Sequence, residues 1–291
     1  MSWLVGGRST EFAIVREAVA KLDEEAVGAR RALPTWLRNA ATVDGLDWRP
    51  AVAIVIDDLG VDRERTAALN GLPAPLTLAF LPHATALAQQ AERARAAGHE
   101  LLLHVPMEPI GQEWPGPRAL LTSFGRHELV SRLRAHLLRL PGFVGINNHM
   151  GSRLTADRDR MKWVMGELHA RQLLFVDSLT SPRSVATDEA RRQGVPYARR
   201  DVFLDNEPSA DRILDRLAEV ERVAKRKGHA MAIGHPHRAT IEALRHWLPR
   251  LQERGLILVP VSAIVVRRAC AEAKPQWPLT RCAHHLSTRL Q

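Results

Sequence analysis

Short apolar runs that end in polar residues recur along the chain. Val52-Ala53-Ile54-Val55-Ile56 leads into Asp57-Asp58, and Leu101-Leu102-Leu103 leads into His104. Leu173-Leu174-Phe175-Val176 leads into Asp177-Ser178, and Met231-Ala232-Ile233-Gly234 into His235, with His237 just beyond. Asn148-His149 and Asp205-Asn206 close two further runs. The runs are aliphatic or β-branched and nearly free of polar alternation, the signature of strands buried on both faces. A charged group inside such a strand would be desolvated without a partner, so it belongs at the strand end. In parallel α/β folds the carboxyl ends of the strands are where ligands and reactive groups collect. The polar groups are therefore expected to meet in space.

Strands are predicted at 51–57, 76–81, 100–105, 144–148, 173–178, 200–205, 230–235 and 256–264. Helices are predicted near 62–70 and at 84–97, 126–139, 157–170, 209–227 and 238–253, with Thr155 and Ser209 as capping residues. Repeated βα units imply a parallel sheet, and seven or eight of them a closed or nearly closed barrel; a doubly wound open sheet is the alternative. The segment from Val105 to Pro117 is too rich in Pro and Gly for regular structure and reads as a long rim loop. Phe12, Val15, Val19, Leu22 and Val27 recur at helical spacing, predicting an amphipathic helix before the barrel. The expected organisation is an N-terminal helix and connector at 1–48, a β/α barrel at 49–268 and a tail at 269–291.

Composition narrows the function classes. A chain of 291 residues with 45% hydrophobic and 25% charged residues buries a full core. Its net charge of +9 invites a nucleic-acid reading, but only five of its 41 basic residues are lysines and no aromatic-rich basic stripe accompanies them. Nucleic acid is not expected as a partner, and no apolar run reaches transmembrane length. Cys270 and Cys282 lie apart from every polar group, which argues against a metal role; an oxidising compartment would allow them to pair.

Asp57-Asp58 offers two adjacent carboxylates, which would point to opposite sides in regular strand geometry. One could hold a cation while the other handles a proton; a turn and helix cap is the alternative. His104 and His149 are candidate nitrogen ligands for a divalent metal, with Asp58 supplying oxygen. His235 and His237 complete a set of four strand-end histidines. His83, His99, His127, His136, His169, His229 and His246 fall on helices or their flanks and read as surface residues. Asp177 and Asp205 are candidate partners that orient ligating histidines, with helix capping as the alternative.

The run Gly98-His99-Glu100-Leu101-Leu102-Leu103-His104 resembles the second motif of the polysaccharide deacetylase (NodB-homology) superfamily. Together with Ile56 to Gly60, Asn147 to Ser152, Val176 to Ser178, Val202 to Asn206 and Gly234 to His237, the chain is similar to that superfamily's divergent branch over roughly residues 50–265. The resemblance implies a distorted parallel β/α barrel, one divalent metal, commonly zinc, and a carbohydrate or polysaccharide substrate. It also implies roles: Asp57 as catalytic base, Asp58 and His104 as metal ligands, and His235 as general acid.

The chain departs from the superfamily pattern at two places. Glu108 stands where the second metal histidine is usual, so His149 is the preferred third ligand with Glu108 as its substitute. Asn147 through Ser152 replaces the usual Arg-Pro-Tyr-Gly stretch; Asn148 and His237 are expected to support the site or contact substrate. The implied activity is metal-assisted removal of an acyl group from a glycan; a catalytically inactive carbohydrate-binding or envelope-assembly protein, or a hydrolase of another bond, is the alternative. The resemblance points to the periplasm or cell envelope. Residues 1–8 carry neither a basic n-region nor a long apolar stretch, which keeps the cytoplasm as the alternative.

Overall fold

The computed structural model describes residues 33–43 and 49–273. The expected N-terminal helix, and residues 274–291 of the expected tail, lie outside the described residues. The secondary structure falls within a compact unit that begins at Thr35. Its strands are β1 (Ala51–Leu59), β2 (Thr77–Phe80), β3 (Glu100–Met107), β4 (Gly145–Met150), β5 (Leu174–Asp177), β6 (Tyr197–Arg199), β7 (Val202–Phe203), β8 (His229–Gly234) and β9 (Ile257–Leu258). Eight of them pair in the order β6-β5-β4-β3-β2-β1-β8-β7, all parallel, and β9 adds to the start of β1. The sheet curls into a distorted β/α barrel left open between β6 and β7, where no ladder joins the two edges.

The helices are α1 (Thr35–Arg38), α2 (Arg63–Leu69), α3 (Leu87–Ala96), α4 (Arg126–Leu137), α5 (Arg158–Ala170), α6 (Ala186–Arg192), α7 (Ala210–Lys227), α8 (Arg238–Trp247) and α9 (Val261–Ala273). In α7, Ile213, Leu217, Val220 and Ala224 form a buried stripe at helical spacing. Asp211 opens that helix and Lys225, Arg226 and Lys227 close it, each matching the sign of the helix dipole. The caps differ from expectation. Asp157, not Thr155, accepts the backbone N–H of Arg160 at 3.0 Å, because Thr155 sits in a 3₁₀ turn that precedes α5. Ser209 occupies its cap position without a side-chain hydrogen bond. No described helix is long and apolar enough to cross a membrane.

Two apolar clusters explain why the strands read as unbroken apolar runs. Val52, Ile54 and Ile56 of β1 pack outward with the surrounding helices, while Ala51, Ala53 and Val55 pack inward with Val261, Ile264 and Val265 of α9. The same alternation holds on β3, with Leu101 and Leu103 outward and Leu102 inward, and on β8, with Ala230 and Ala232 outward and Met231 and Ile233 inward. The small inward residues Ala51, Ala53, Ala79 and Ala198 leave room for α9 in the barrel interior. At ~25 cal/mol per Å² of apolar surface, this double-sided burial supplies the dominant folding term.

Three elements depart from the predicted pattern. The apolar run at 256–264 is strand only at Ile257–Leu258 and becomes α9 after Pro260, which cannot donate to a ladder but suits the position before a helix. The predicted strand at 200–205 is β7, two residues long, and β6 and α6 come before it without having been predicted. Strand β3 runs on through Pro106 to Met107, into the segment read as irregular, and Met107 bridges to Leu120.

Candidate functional site

The inward alternation carries specific residues to the carboxyl end of the barrel. On β1 the inward series 51, 53, 55 reaches Asp57; on β3 it reaches His104; on β4 it gives Asn147 and His149; on β8 it ends at His235. Asp58 should point outward by the same rule. It does not, because the β1–β2 register shifts between Ile56 and Leu59 and Asp58 adopts a left-handed backbone at φ 60°. A short polar side chain tolerates that conformation better than a β-branched one. Both carboxylates of the pair thereby face one site.

The centre of that site is compact. Asp58 Oδ1 lies 3.2 Å from His104 Nε2 and 2.9 Å from His149 Nδ1, and the two ring nitrogens are 3.2 Å apart. Asp58 Oδ1 is nonetheless buried without a hydrogen-bond partner, so the contacts are close but badly angled for hydrogen bonding. A tetrahedral zinc with ligands at about 2.0–2.1 Å holds its donors roughly 3.3 Å apart. The three atoms fit a divalent cation in spacing and in donor type.

Asn147 sets the proton positions around this centre, and the sequence reading did not single it out. Its amide nitrogen donates to Asp57 Oδ1 at 2.7 Å and to Ser178 Oγ at 3.2 Å. Its oxygen is therefore the acceptor for His104 Nδ1 at 2.9 Å, which leaves the His104 Nε2 lone pair facing Asp58 and His149. Period-two alternation from Gly145 to His149 is the signal that would have found it.

Asp57 is 3% exposed, and burial raises its carboxyl above the ordinary range against the opposing pull of His104, His235 and Asn147. Burial would raise Asp58 as well, but the two adjoining imidazoles together hold it well below that range. His104 is raised, its burial outweighed by Asp57 and Asp58. His235 is pushed up to about 9: burial opposes the proton, but the Asp205 contact and the charges of Asp57, Asp205 and Asp58 outweigh it. His235 Nδ1 donates to Asp205 Oδ1 at 3.0 Å, and Nε2 faces Asp58 Oδ2 at 3.8 Å. Phe203 stands edge-on against the His235 ring, with ring centres 5.5 Å apart.

The other predicted residues divide. Asp205 does orient a histidine: its Oδ2 accepts from the His235 backbone N–H at 2.6 Å and from Thr240 Oγ1 at 2.8 Å. Asp177 does not. It shares the outward alternation of Phe175, and its oxygens accept from Leu179 N and Ser184 Oγ, closing a turn. The neighbouring Ser178 faces the site instead. Asn148 is also outward; its oxygen accepts from Ser178 N at 3.0 Å and its amide donates to Met150 O at 2.7 Å, tying β4 to the end of β5. Glu108 Oε2 accepts from the backbone N–H and hydroxyl of Thr122, and Oε1 pairs with Arg153 at 3.3 Å, so these partners hold it in the rim. His237 occupies the cap position just before α8, its ring centre 5.9 Å from that of His235. Asp205, His235 and His237 form a second close group, but both Asp205 oxygens already accept hydrogen bonds, which makes this group the poorer fit for a cation.

Among the histidines read as surface residues, His99 and His136 are buried; His99 Nδ1 accepts from Leu76 N, and the His136 ring bonds Arg118 O. His83 is exposed, yet it stands near enough to His149 and Asp58 to feel their charge, which makes it a rim residue.

A model of the divergent polysaccharide deacetylase family matches residues 54–265. An uncharacterized protein, YibQ, of Escherichia coli K12 is 33% identical over 214 residues, covering 74% of this chain and 67% of its own length. An uncharacterized protein of Haemophilus influenzae is 32% identical over 202 residues, covering 69% and 72% respectively. The crystal structure of the uncharacterized protein ATU2773 from Agrobacterium tumefaciens C58 superposes with a TM-score of 0.78 at 31% identity, covering 80% of this chain and 96% of that one.

Proposed function

Since the chain belongs to the divergent polysaccharide deacetylase family, we propose that it is a metal-dependent hydrolase that removes an acyl group from a glycan or cell-envelope polysaccharide. The observation that carries this reading is the convergence of Asp58 Oδ1, His104 Nε2 and His149 Nδ1 around a buried oxygen with no hydrogen-bond donor. Such an orphaned atom costs stability unless a cation compensates it.

Asp58, His104 and His149 would hold the ion, and the mixed imidazole and carboxylate donors suit zinc. A divalent ion there supplies Lewis acidity, which makes water more acidic and polarises an acyl carbonyl. Asp57 takes the proton of the attacking water on Oδ2, while Asn147 fixes Oδ1. His235, held by Asp205 and protonated at neutral pH, gives the proton on Nε2 to the departing amine or alcohol. Val61, Ile110 and Trp114 are 59%, 45% and 74% exposed on the loops that follow β1 and β3. Exposed apolar groups beside a polar site suit the face of a sugar ring.

The test is elemental analysis of the purified chain, followed by release of acetate from acetylated glycans with and without a chelator. About one zinc per chain and chelator-sensitive acetate release are expected. A chain that binds no divalent ion, or that hydrolyses equally well in chelator, would overturn the reading. Trp114→Ala is expected to raise KM several-fold with kcat nearly unchanged, the signature of uniform binding lost.

A further inference from the structure

A polar cavity of about 470 Å³ lies at the open seam of the barrel, and none of the residues assigned to the hydrolytic centre lines it. Its walls come from both sides of the seam: Tyr197 to Asp201 on one side, Lys227 and His229 on the other, with Ile264 and Arg268 of α9. Four permanent cations line it (Arg199, Arg200, Lys227 and Arg268) against the single carboxylate of Asp201. That carboxylate is already engaged, Oδ1 by Lys227 Nζ at 2.9 Å and Oδ2 by the backbone N–H of Met231 at 3.0 Å.

The cations differ in what they do. Arg200 braces the wall, donating to Ser178 O at 2.7 Å and Leu179 O at 2.8 Å. Arg268 lies over the Tyr197 ring, 3.4 Å from its centre. Arg199 is exposed and makes no hydrogen bond or ion pair. Burial, aided by the nearby charges of Lys227, Arg267 and Arg268, holds the His229 imidazole below its ordinary value against the opposing pull of Asp201.

We infer that this cavity is an anion-binding site for a phosphate-bearing ligand, with Arg199 as its free guanidinium and Lys227 and Arg268 flanking it. Arginine's planar fork matches phosphate oxygens. The volume suits a group the size of a sugar phosphate rather than a single ion. The outer groove between α4 and α5 is also basic, but its Arg134 is spent on a two-pronged pair with Glu167, which makes that groove a useful control.

The inference is tested by calorimetric titration of the whole chain with inorganic phosphate and with glucose 6-phosphate, and by sedimentation with anionic phospholipid vesicles. Expected is saturable phosphate binding that Arg199→Ala and Arg268→Ala each weaken roughly tenfold, the loss of one charge-assisted contact, while Lys162→Ala in the outer groove leaves it unchanged. Tighter binding of the sugar phosphate assigns a soluble ligand; tighter binding of vesicles, lost in the same two variants, assigns a lipid headgroup. Absence of saturable binding in the millimolar range, or equal weakening by Lys162→Ala, overturns the site. Arg199 is exposed and unbonded, so its variant folds and keeps the test decisive.

Discussion

The two ends of the barrel interior are built from the same inward-facing positions, and they treat buried charge in opposite ways. On β3, Glu100 and His104 face the same way four residues apart. At the lower end Glu100 is 1% exposed and its carboxylate is fully engaged: Oε1 accepts from Thr77 Oγ1 and Ser262 N, and Oε2 from Ser262 Oγ. It thereby caps the first turn of α9 and ties the helix to β2 and β3. At the upper end Asp58 Oδ1 sits between two imidazoles without a well-directed hydrogen bond. A buried carboxylate whose lone pairs are all used holds the fold together, whereas one left unsatisfied beside two imidazole nitrogens carries a cost that the proposed metal would offset.

The contrast can be broken first at the upper end. Asp58→Ala should abolish metal binding and reduce acetate release to background while the fold persists; elemental analysis alongside circular dichroism checks this, and a variant that still holds stoichiometric zinc would contradict the ligand assignment. Asp57→Asn and His235→Asn should each cut kcat by about 10²–10⁴-fold with metal content intact. A variant that loses metal as well would move that residue from proton transfer to ligation.

The lower end should answer in stability, not in turnover. Glu100→Ala leaves several buried donors without an acceptor and should cost about 2–4 kcal/mol in denaturant unfolding, with kcat unchanged. Burial pushes the Glu100 carboxyl up to about 7 from an ordinary 4.5, despite the hydrogen bonds from Ser262 and Thr77 that oppose the shift. The folded chain therefore binds this proton more tightly than the unfolded chain does. The stabilisation this brings is fully present below pH 4.5 and is lost as pH rises to 7, by about 3 kcal/mol. Glu100→Gln should remove that slope from the pH profile of Tm; an unchanged slope would place the titrating group elsewhere. The smallest effect belongs to the residue that links Asp57 to His104. Asn147→Ala should weaken zinc binding by about 10–100-fold, measured by competition with a chromogenic chelator, and equal affinity would show that the tautomer of His104 is set by something else.

Much of this was legible along the chain. The apolar runs of β1, β3, β5 and β8 and the polar residues that end them carry their own physical signal, since a charge cannot remain unpaired inside a doubly buried strand. Asp57, Asp58, His104, His149 and His235 gather as that signal implies. What it could not separate was the two faces of each strand. Both are apolar, so alternation is invisible in composition, and Asp177 looks as promising as Asp57 although it faces the outer helices. The same blindness hid Ser178, and it hid Asn147 as long as the period of two was not counted back from His149. Buried helix and buried strand also look alike over a short apolar run, which is why α9 read as a strand.

Local chemistry in the sequence thus determined where strands end and which residue types wait there. Only the tertiary structure decided which of those residues share a site, because that depends on a register shift and a left-handed backbone at Asp58 that turn its carboxylate inward against the strand period. Covalent neighbours carry no information about partners 46 and 91 residues away; packing around the curled sheet brings His104 and His149 to within 3.2 Å of Asp58 Oδ1.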